Sequence, residues 1–287
     1  MNFRDWACKH LSQYKVDVLG VQEDGLFPYG DRKIPLSHIL PREPIDHRKE
    51  NILEKYRAQF WYYYDPRIIK LHQFFHHLNS SQALCINLFY PLIYEKKLDF
   101  FLRFLSISPG VDLHAFFEKK SVIEKGAKNL TSFDFCVQLA AARNIFVEVK
   151  YTEYGFSKAQ EDDEHRAKFH RTYLPLLLEK SRYLVDECQE EKFFLNHYQI
   201  LRNLVHISDT DHVVLLFPSA NSVVAKEAAH AMDTLLTEAG RNRLRIVFLE
   251  EFVSFLEDQS MGSSLDGYYQ DFRTKYLPQG AVAQQGG

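Results

Sequence analysis

The clearest pattern in the chain is a two-residue alternation at 133–139. Phe133, Phe135, Val137 and Leu139 fall on one side, and Asp134, Cys136 and Gln138 on the other. That period predicts a strand over "SFDFCVQLA". A second run, "NIFVEVKYTE", follows after a short turn around Ala141–Asn144, so the two form a hairpin. "VDLHAFFEK", after Pro109-Gly110, predicts a strand before them, and 97–108 a helix before that. Upstream, Ile69, Phe74 and Leu78 recur at helical spacing from Pro66 to about Phe89. "NSSQ" interrupts that run, with Ser80 or Ser81 placed to cap "QALCINLFY". A helix is expected over Ile45–Tyr62, and residues 1–50 otherwise read as a polar, loop-rich opening rich in turn formers. Downstream, a long helical region covers about 161–207, with a break expected near Pro175. Strand "HVVLLFP", a helix capped by Asn221 or Ser222, strand "LRIVFLE" and short terminal helices complete the order, and "QGAVAQQGG" reads as a disordered tail. Strands separated by helices predict an α/β layered sheet with helices on both faces, of order αβββαβ.

The strand "FVEVKYTE" raises a question of chemistry. Residues two apart share a face, so Phe146, Glu148, Lys150 and Thr152 lie together, with Val147, Val149 and Tyr151 behind. With the turn centred on Ala141, Asp134 stands opposite Glu148, at a cross-strand Cβ spacing of roughly 4.5–5.5 Å. Two carboxylates so close repel unless something neutralises them, and a divalent cation with oxygen ligands would. The competing reading is a salt-bridge ladder on a solvated sheet face. Covering helices weigh against it, because buried charges cost several kcal/mol each unless compensated.

Composition narrows the classes. The chain has 287 residues, 46% hydrophobic, enough for one large domain or two small ones. The formal charge of −3 advertises no global polyanion field, so basic residues would have to act locally. Cys8, Cys85, Cys136 and Cys188 form no CxxC pair, which supports neither a disulfide framework nor a zinc site. His72 and His76 have a metal-like i, i+4 spacing but no third ligand nearby. No nucleophile-elbow motif or glycine-rich phosphate loop appears. With no secretory core or membrane-length apolar run, the expectation is a cytoplasmic protein with no membrane partner.

"SFDF" followed after a 13-residue gap by "EVK" resembles the D…ExK signature of the PD-(D/E)XK nuclease superfamily. The order αβββαβ is also that superfamily's core. With "LNSSQALCINLF" and "YQILRN", the chain looks like a restriction-endonuclease-like branch over roughly residues 70–250. It departs from the pattern at Phe133, where a proline usually precedes the aspartate. The resemblance implies Mg²⁺-dependent (or Mn²⁺-dependent) hydrolysis of DNA phosphodiesters, of restriction or defence type. Asp134 and Glu148 would ligate the metal with the Val149 carbonyl, and Lys150 would orient the attacking water or stabilise charge on the phosphate. Gln82 matches a further group that many members supply from the first helix, with Asn79 and Asn87 weaker candidates; a capping role is the alternative. Gln199 and Arg202, at i and i+3, resemble a helical Gln-containing motif, with Arg202 holding either a phosphate or a surface salt bridge.

Lys158 and Arg166, the latter within the basic cluster "HRAKFHR", are assigned as nucleic-acid contacts; "RNRLR" is a second such cluster. "EDDE" before the first leaves a solvated helix face as the other reading. Glu153 has the opposite parity to Glu148 but stands where a strand end can twist it inward. Duplex cutting needs two active sites, so a homodimer is expected. The domain reading is an extension over 1–65, a nuclease domain over 66–276 and a tail over 277–287. A structure-specific repair or recombination nuclease and a non-catalytic nucleic-acid-binding module of the same fold remain the alternatives.

Overall fold

The computed structural model describes residues 2–108, 112–126, 129–139 and 143–277. The expected turn centre at Ala141, the Pro109-Gly110 step and the tail from 279 lie outside them. In chain order the helices are α1 (Phe3–Asp17), α2 (Glu54–Tyr63), α3 (Ser81–Tyr94), α4 (Leu98–Phe104), α5 (Asp163–Lys168), α6 (Leu174–Glu179), α7 (Glu191–Asn196), α8 (Tyr198–Leu204), α9 (Ser222–His230), α10 (Glu238–Arg241), α11 (Leu249–Ser260) and α12 (Tyr268–Tyr276). The strands are β1 (Gly25–Tyr29), β2 (Arg32–Leu36), β3 (Leu113–Lys120), β4 (Ser132–Leu139), β5 (Arg143–Val149), β6 (His212–Phe217) and β7 (Leu244–Phe248). Two compact units result: Met1–Ile107 with Pro218–Asn221 and Phe248–Gly287, and Ser108–Phe217 with Ser222–Val247.

The first unit is built on α3, which is buried from Gln82 to Leu92. Ser80 caps it as the sequence predicts, its side chain accepting from Ala83 N at 3.3 Å. Asn87 serves this core: it accepts from Leu53 N at 2.8 Å and donates to Asn51 O and to Tyr276 Oη, both at 2.9 Å. The opening residues are not the loop-rich stretch expected. Asn2 caps a 15-residue helix that buries Ala7, Leu11 and Tyr14, and β1 and β2 form an antiparallel hairpin after it. The i, i+4, i+7 stripe was obscured by the polar residues around it. The helical run expected from Pro66 also fails: residues 66–80 are turns and irregular backbone with an isolated bridge from His77 to Ile39, and the helix begins only at Ser81.

The second unit carries a five-stranded mixed sheet, ordered β3-β4-β5-β6-β7 and flanked by helices. β3, β4 and β5 pair antiparallel, and β5 pairs parallel with β6. Val213 to Phe217 in β6 are all fully buried, the near-continuous apolar run of a strand covered on both faces. A parallel pair needs a crossover, here formed by α5 to α8. It is a chain of short helical segments rather than one regular helix, and Pro175 stands at the start of α6 directly after a π-helical turn, Phe169–Tyr173, that continues α5.

The hairpin register is the one that alternation predicts. Phe135 faces Val147, Cys136 faces Phe146 and Val137 faces Ile145. The ladder stops at Phe135↔Val147, and strict alternation stops with it. Phe133, of opposite parity to Phe146, nonetheless brings its ring to 4.7 Å from the Phe146 ring, and His206 sits edge-on to both. In β3 the same row is disturbed, because Glu118, between the pairs Phe117↔Phe135 and Lys119↔Phe133, has φ +53°. A left-handed residue inside a strand is uncommon for anything but glycine.

Candidate active site

The disturbed row is where the charges gather. Just past the end of the ladder, the Asp134 side chain takes over from backbone pairing: Val149 N donates to its Oδ2 at 2.7 Å. Glu148 precedes that residue on β5, and Lys150 follows it, held by its own N–H to Leu216 O at 2.9 Å. Lys150 Nζ lies 3.2 Å from Glu148 Oε1, and both side chains are more than nine-tenths buried. The solvated salt-bridge ladder is therefore not what is found. Glu148 and Lys150 are enclosed, Asp134 is half-buried, and the ring of Phe156 lies 5.4 Å from the ammonium.

The electrostatics follow from that enclosure. Burial pushes the Asp134 carboxyl well above the usual carboxylate range, the charges of Glu148 and Glu118 push it further, and the Val149 N–H and Lys150 only partly oppose them. For Lys150, burial works to lower the pKa, but Glu148, Glu153 and Asp134 outweigh it and the ammonium is held above its ordinary value. Lys150 is thus a fixed cation beside carboxylates that repel one another.

Gln199 on α8 braces the arrangement. Its Oε1 accepts from Ser157 N at 2.9 Å and its Nε2 donates to Glu148 Oε1, also at 2.9 Å. Because Ser157 N can only donate, the amide orientation is fixed and the NH₂ must face the carboxylate. The loop after Lys150 is tied down in turn. Glu153 Oε2 accepts from Tyr151 N at 2.6 Å, and Glu227 Oε2 from Phe156 N at 2.5 Å. Gly155 permits this, since its φ is +108° and a Cβ there would meet the Glu227 carboxylate at 2.5 Å.

One oxygen of each carboxylate is therefore committed to protein donors. Asp134 Oδ1 and Glu148 Oε2 receive none among the described residues. Among those residues no group of three or more His, Cys, Asp or Glu side chains is placed to hold a metal ion. Two carboxylates with one open oxygen each fit Mg²⁺, which takes one or two carboxylates and keeps its other positions for water and phosphate. They do not fit a closed all-protein cage of the zinc or calcium kind.

The remaining sequence candidates divide by place. Gln82 belongs to the first unit, where its Oε1 accepts from His72 N at 2.8 Å and its Nε2 donates to Lys70 O at 3.0 Å, so its amide holds the 70–72 loop. Arg202 donates to Asn129 O at 3.1 Å, lies 3.7 Å from the buried Glu124 and stacks over Tyr198 at 5.1 Å. Burial and the Arg202 charge lower the neighbouring Lys168 to a pKa of about 8. Arg166 is a half-exposed residue of α5 with Glu191 3.6 Å away. Lys158 is exposed on the loop beyond Phe156. Glu118 was missed altogether: in sequence it is a charged residue near a strand end, and only its backbone angle and its influence on Asp134 mark it out.

A family model described as Restriction Endonuclease associating with ARP matches residues 8–277. No curated protein and no solved structure matches the chain.

Proposed function

The chain belongs to the family of restriction endonucleases associating with ARP, and from that premise we propose that it is a Mg²⁺-dependent endonuclease hydrolysing DNA phosphodiester bonds at Asp134, Glu148 and Lys150. The observation that carries the reading is the pair of open carboxylate oxygens, on Asp134 and Glu148, beside a buried ammonium that sits over the Phe156 ring.

Each residue has a task the geometry supports. Asp134 and Glu148 would hold the divalent cation, with the Val149 carbonyl as a further donor between them. When bound, that cation supplies Lewis-acid stabilisation of charge on the phosphate. Lys150, kept charged by its acidic neighbours, aims a permanent positive charge at the developing negative charge and can orient the attacking water. Gln199 and the Val149 N–H each pin one oxygen of a carboxylate, so the other is presented without reorganisation. Phe156 excludes water below the ammonium, which strengthens every charge interaction above it. Phosphoryl transfer needs mainly such positioning and neutralisation. Association with ARP, named in the family's description, and pairing into a homodimer for duplex cutting belong to the same proposal.

The test is plasmid cleavage by the full chain with Mg²⁺ against EDTA. Asp134→Ala, Glu148→Ala and Lys150→Ala are each expected to abolish cleavage without changing the circular dichroism spectrum. Full activity in any of the three overturns the assignment.

A further inference from the structure

A cavity of about 530 Å³ opens directly behind the trio, in the same unit. It shares a wall with the trio, because Phe156, whose ring lies under Lys150, also lines it. Its inner surface is apolar, with Phe156, Ile200 and Leu235 all buried. Two imidazoles, His197 and His230, stand in the lining and stack on each other, ring planes 22° apart and centroids at 5.4 Å. His197 Nδ1 donates to Phe193 O at 2.9 Å, which fixes the ring.

The rim carries the charge. Lys158 and Lys226 are both exposed and line the cavity, and neither makes an ion pair or hydrogen bond to protein among the described residues. The acidic member of the lining, Glu227, is occupied with Phe156 N. An apolar floor, a stacked aromatic wall and two unpaired cations at the mouth match one ligand chemistry: a flat heteroaromatic base carrying a phosphate. The volume lies within the range of roughly 300–1,000 Å³ usual for small-ligand sites, which suits a single nucleotide. Bases stack on aromatic faces whatever their sequence, and lysines bind phosphate as point charges.

We propose that this cavity binds one nucleoside monophosphate unit, the base against His197 and His230 and the phosphate between Lys158 and Lys226. The inference rests on the nuclease reading for its meaning: a nucleotide held behind Phe156 belongs to the strand being cut or is a free nucleotide acting on the same site. Gln199 links the two places, since it follows the cavity-lining His197 by two residues and holds Glu148.

The experiment is a titration of the full chain, in EDTA and without cleavage, following the imidazole ¹H–¹⁵N signals of His197 and His230. The probes are a deoxynucleoside 5′-monophosphate, a short single-stranded oligonucleotide and inorganic phosphate. Saturable shifts with either nucleotide probe, weakened roughly tenfold or more in Lys158→Glu with Lys226→Glu, support the site. Shifts from the oligonucleotide alone assign the pocket to the substrate strand, and comparable shifts from the mononucleotide assign it to a free nucleotide. Inorganic phosphate matching the nucleotides in affinity overturns base recognition, and no shift with either nucleotide overturns the proposal. The readout needs neither metal nor turnover, so an inactive trio and an empty cavity are separate failures.

Discussion

Gln199 Nε2 lies 2.9 Å from Glu148 Oε1 while Gln199 Oε1 accepts from Ser157 N at 2.9 Å, so one amide fixes both a proposed metal ligand and the loop that follows Lys150. Its two ends can be separated by mutation. Gln199→Glu keeps an acceptor for Ser157 but replaces the donor facing Glu148 with a repelling oxygen. Cleavage under single-turnover conditions is expected to fall 10–100-fold, the usual cost of losing a group that orients a ligand. Gln199→Ala is expected to match it in rate and also to loosen the 150–157 loop, read as faster amide exchange there. Wild-type rates in Gln199→Glu would remove the residue from the site.

Asp134 predicts a conflict between stability and activity. Its folded pKa is raised, first by burial and then by Glu148 and Glu118. The sign follows: a carboxyl that holds its proton more tightly when folded favours the fold below the unfolded value of 3.8, and that advantage is lost as pH rises through the folded pKa. Above that folded pKa the ionised carboxylate is a cost. Asp134→Asn can still accept from Val149 N, and it is expected to raise metal-free stability while abolishing cleavage. Saturating Mg²⁺ should stabilise the wild type but not the variant, because only the former gains a ligand on folding. Paired urea titrations check both, and a destabilised Asp134→Asn would contradict the like-charge account.

Much of this site was legible in sequence, for a definable reason. Alternation fixes the face of a strand, and a hairpin's register follows from one turn position. Asp134, Glu148 and Lys150 could therefore be brought together before any coordinates, and Phe135↔Val147 has the expected register. Gln199 was legible only as a helical position two turns of reasoning away, because the contact depends on how α8 crosses the sheet. Glu118 was not legible at all, since backbone angles leave no trace in composition. Gln82 could be placed near a helix start from sequence, but its partners His72 N and Lys70 O, set by the fold of the preceding loop, could not. The opening helix was missed because its apolar stripe is narrow and its remaining positions are polar.

His206 makes the second unit sensitive to acid. Its Nδ1 donates to Arg202 O at 3.0 Å, so its Nε2, 2.8 Å from Ser121 Oγ, is the acceptor, and the neutral ring is the form the site holds. Burial lowers its pKa to about 4, against the pull of Glu124 and with the help of Lys180. A depressed folded pKa contributes stability that is present above the unfolded value of 6.5 and is lost as pH falls toward 4. Between pH 7 and pH 5 the loss from this ring is about 2 kcal/mol. His206→Gln, which cannot take up the proton, should show a shallower decline in urea stability over that interval. His38 and His212, also lowered to about 4, contribute equally to both curves, so the difference between them reports His206. Parallel curves would mean that the ring protonates without cost.

Glu118 stores strain beside Asp134. A non-glycine residue at φ +53° costs roughly 1–2 kcal/mol, and Ser132 Oγ donates to Glu118 Oε2 at 3.2 Å beside it. Glycine adopts that angle freely but gains freedom in the unfolded chain, so the two effects partly offset. Glu118→Gly is expected to raise stability by about 0.5 kcal/mol. Glu118→Gln keeps the strain and removes only the charge, which separates backbone from electrostatics. Both variants relieve the repulsion at Asp134, so a gain shared equally by the two would assign the effect to charge, and a gain confined to glycine would assign it to φ. Thermal melts in EDTA distinguish them. If Glu118→Gly instead destabilises, as glycine does inside an ordinary strand by roughly 0.5–1 kcal/mol, then the left-handed angle is relaxed in solution and the row opposite Asp134 is regular sheet.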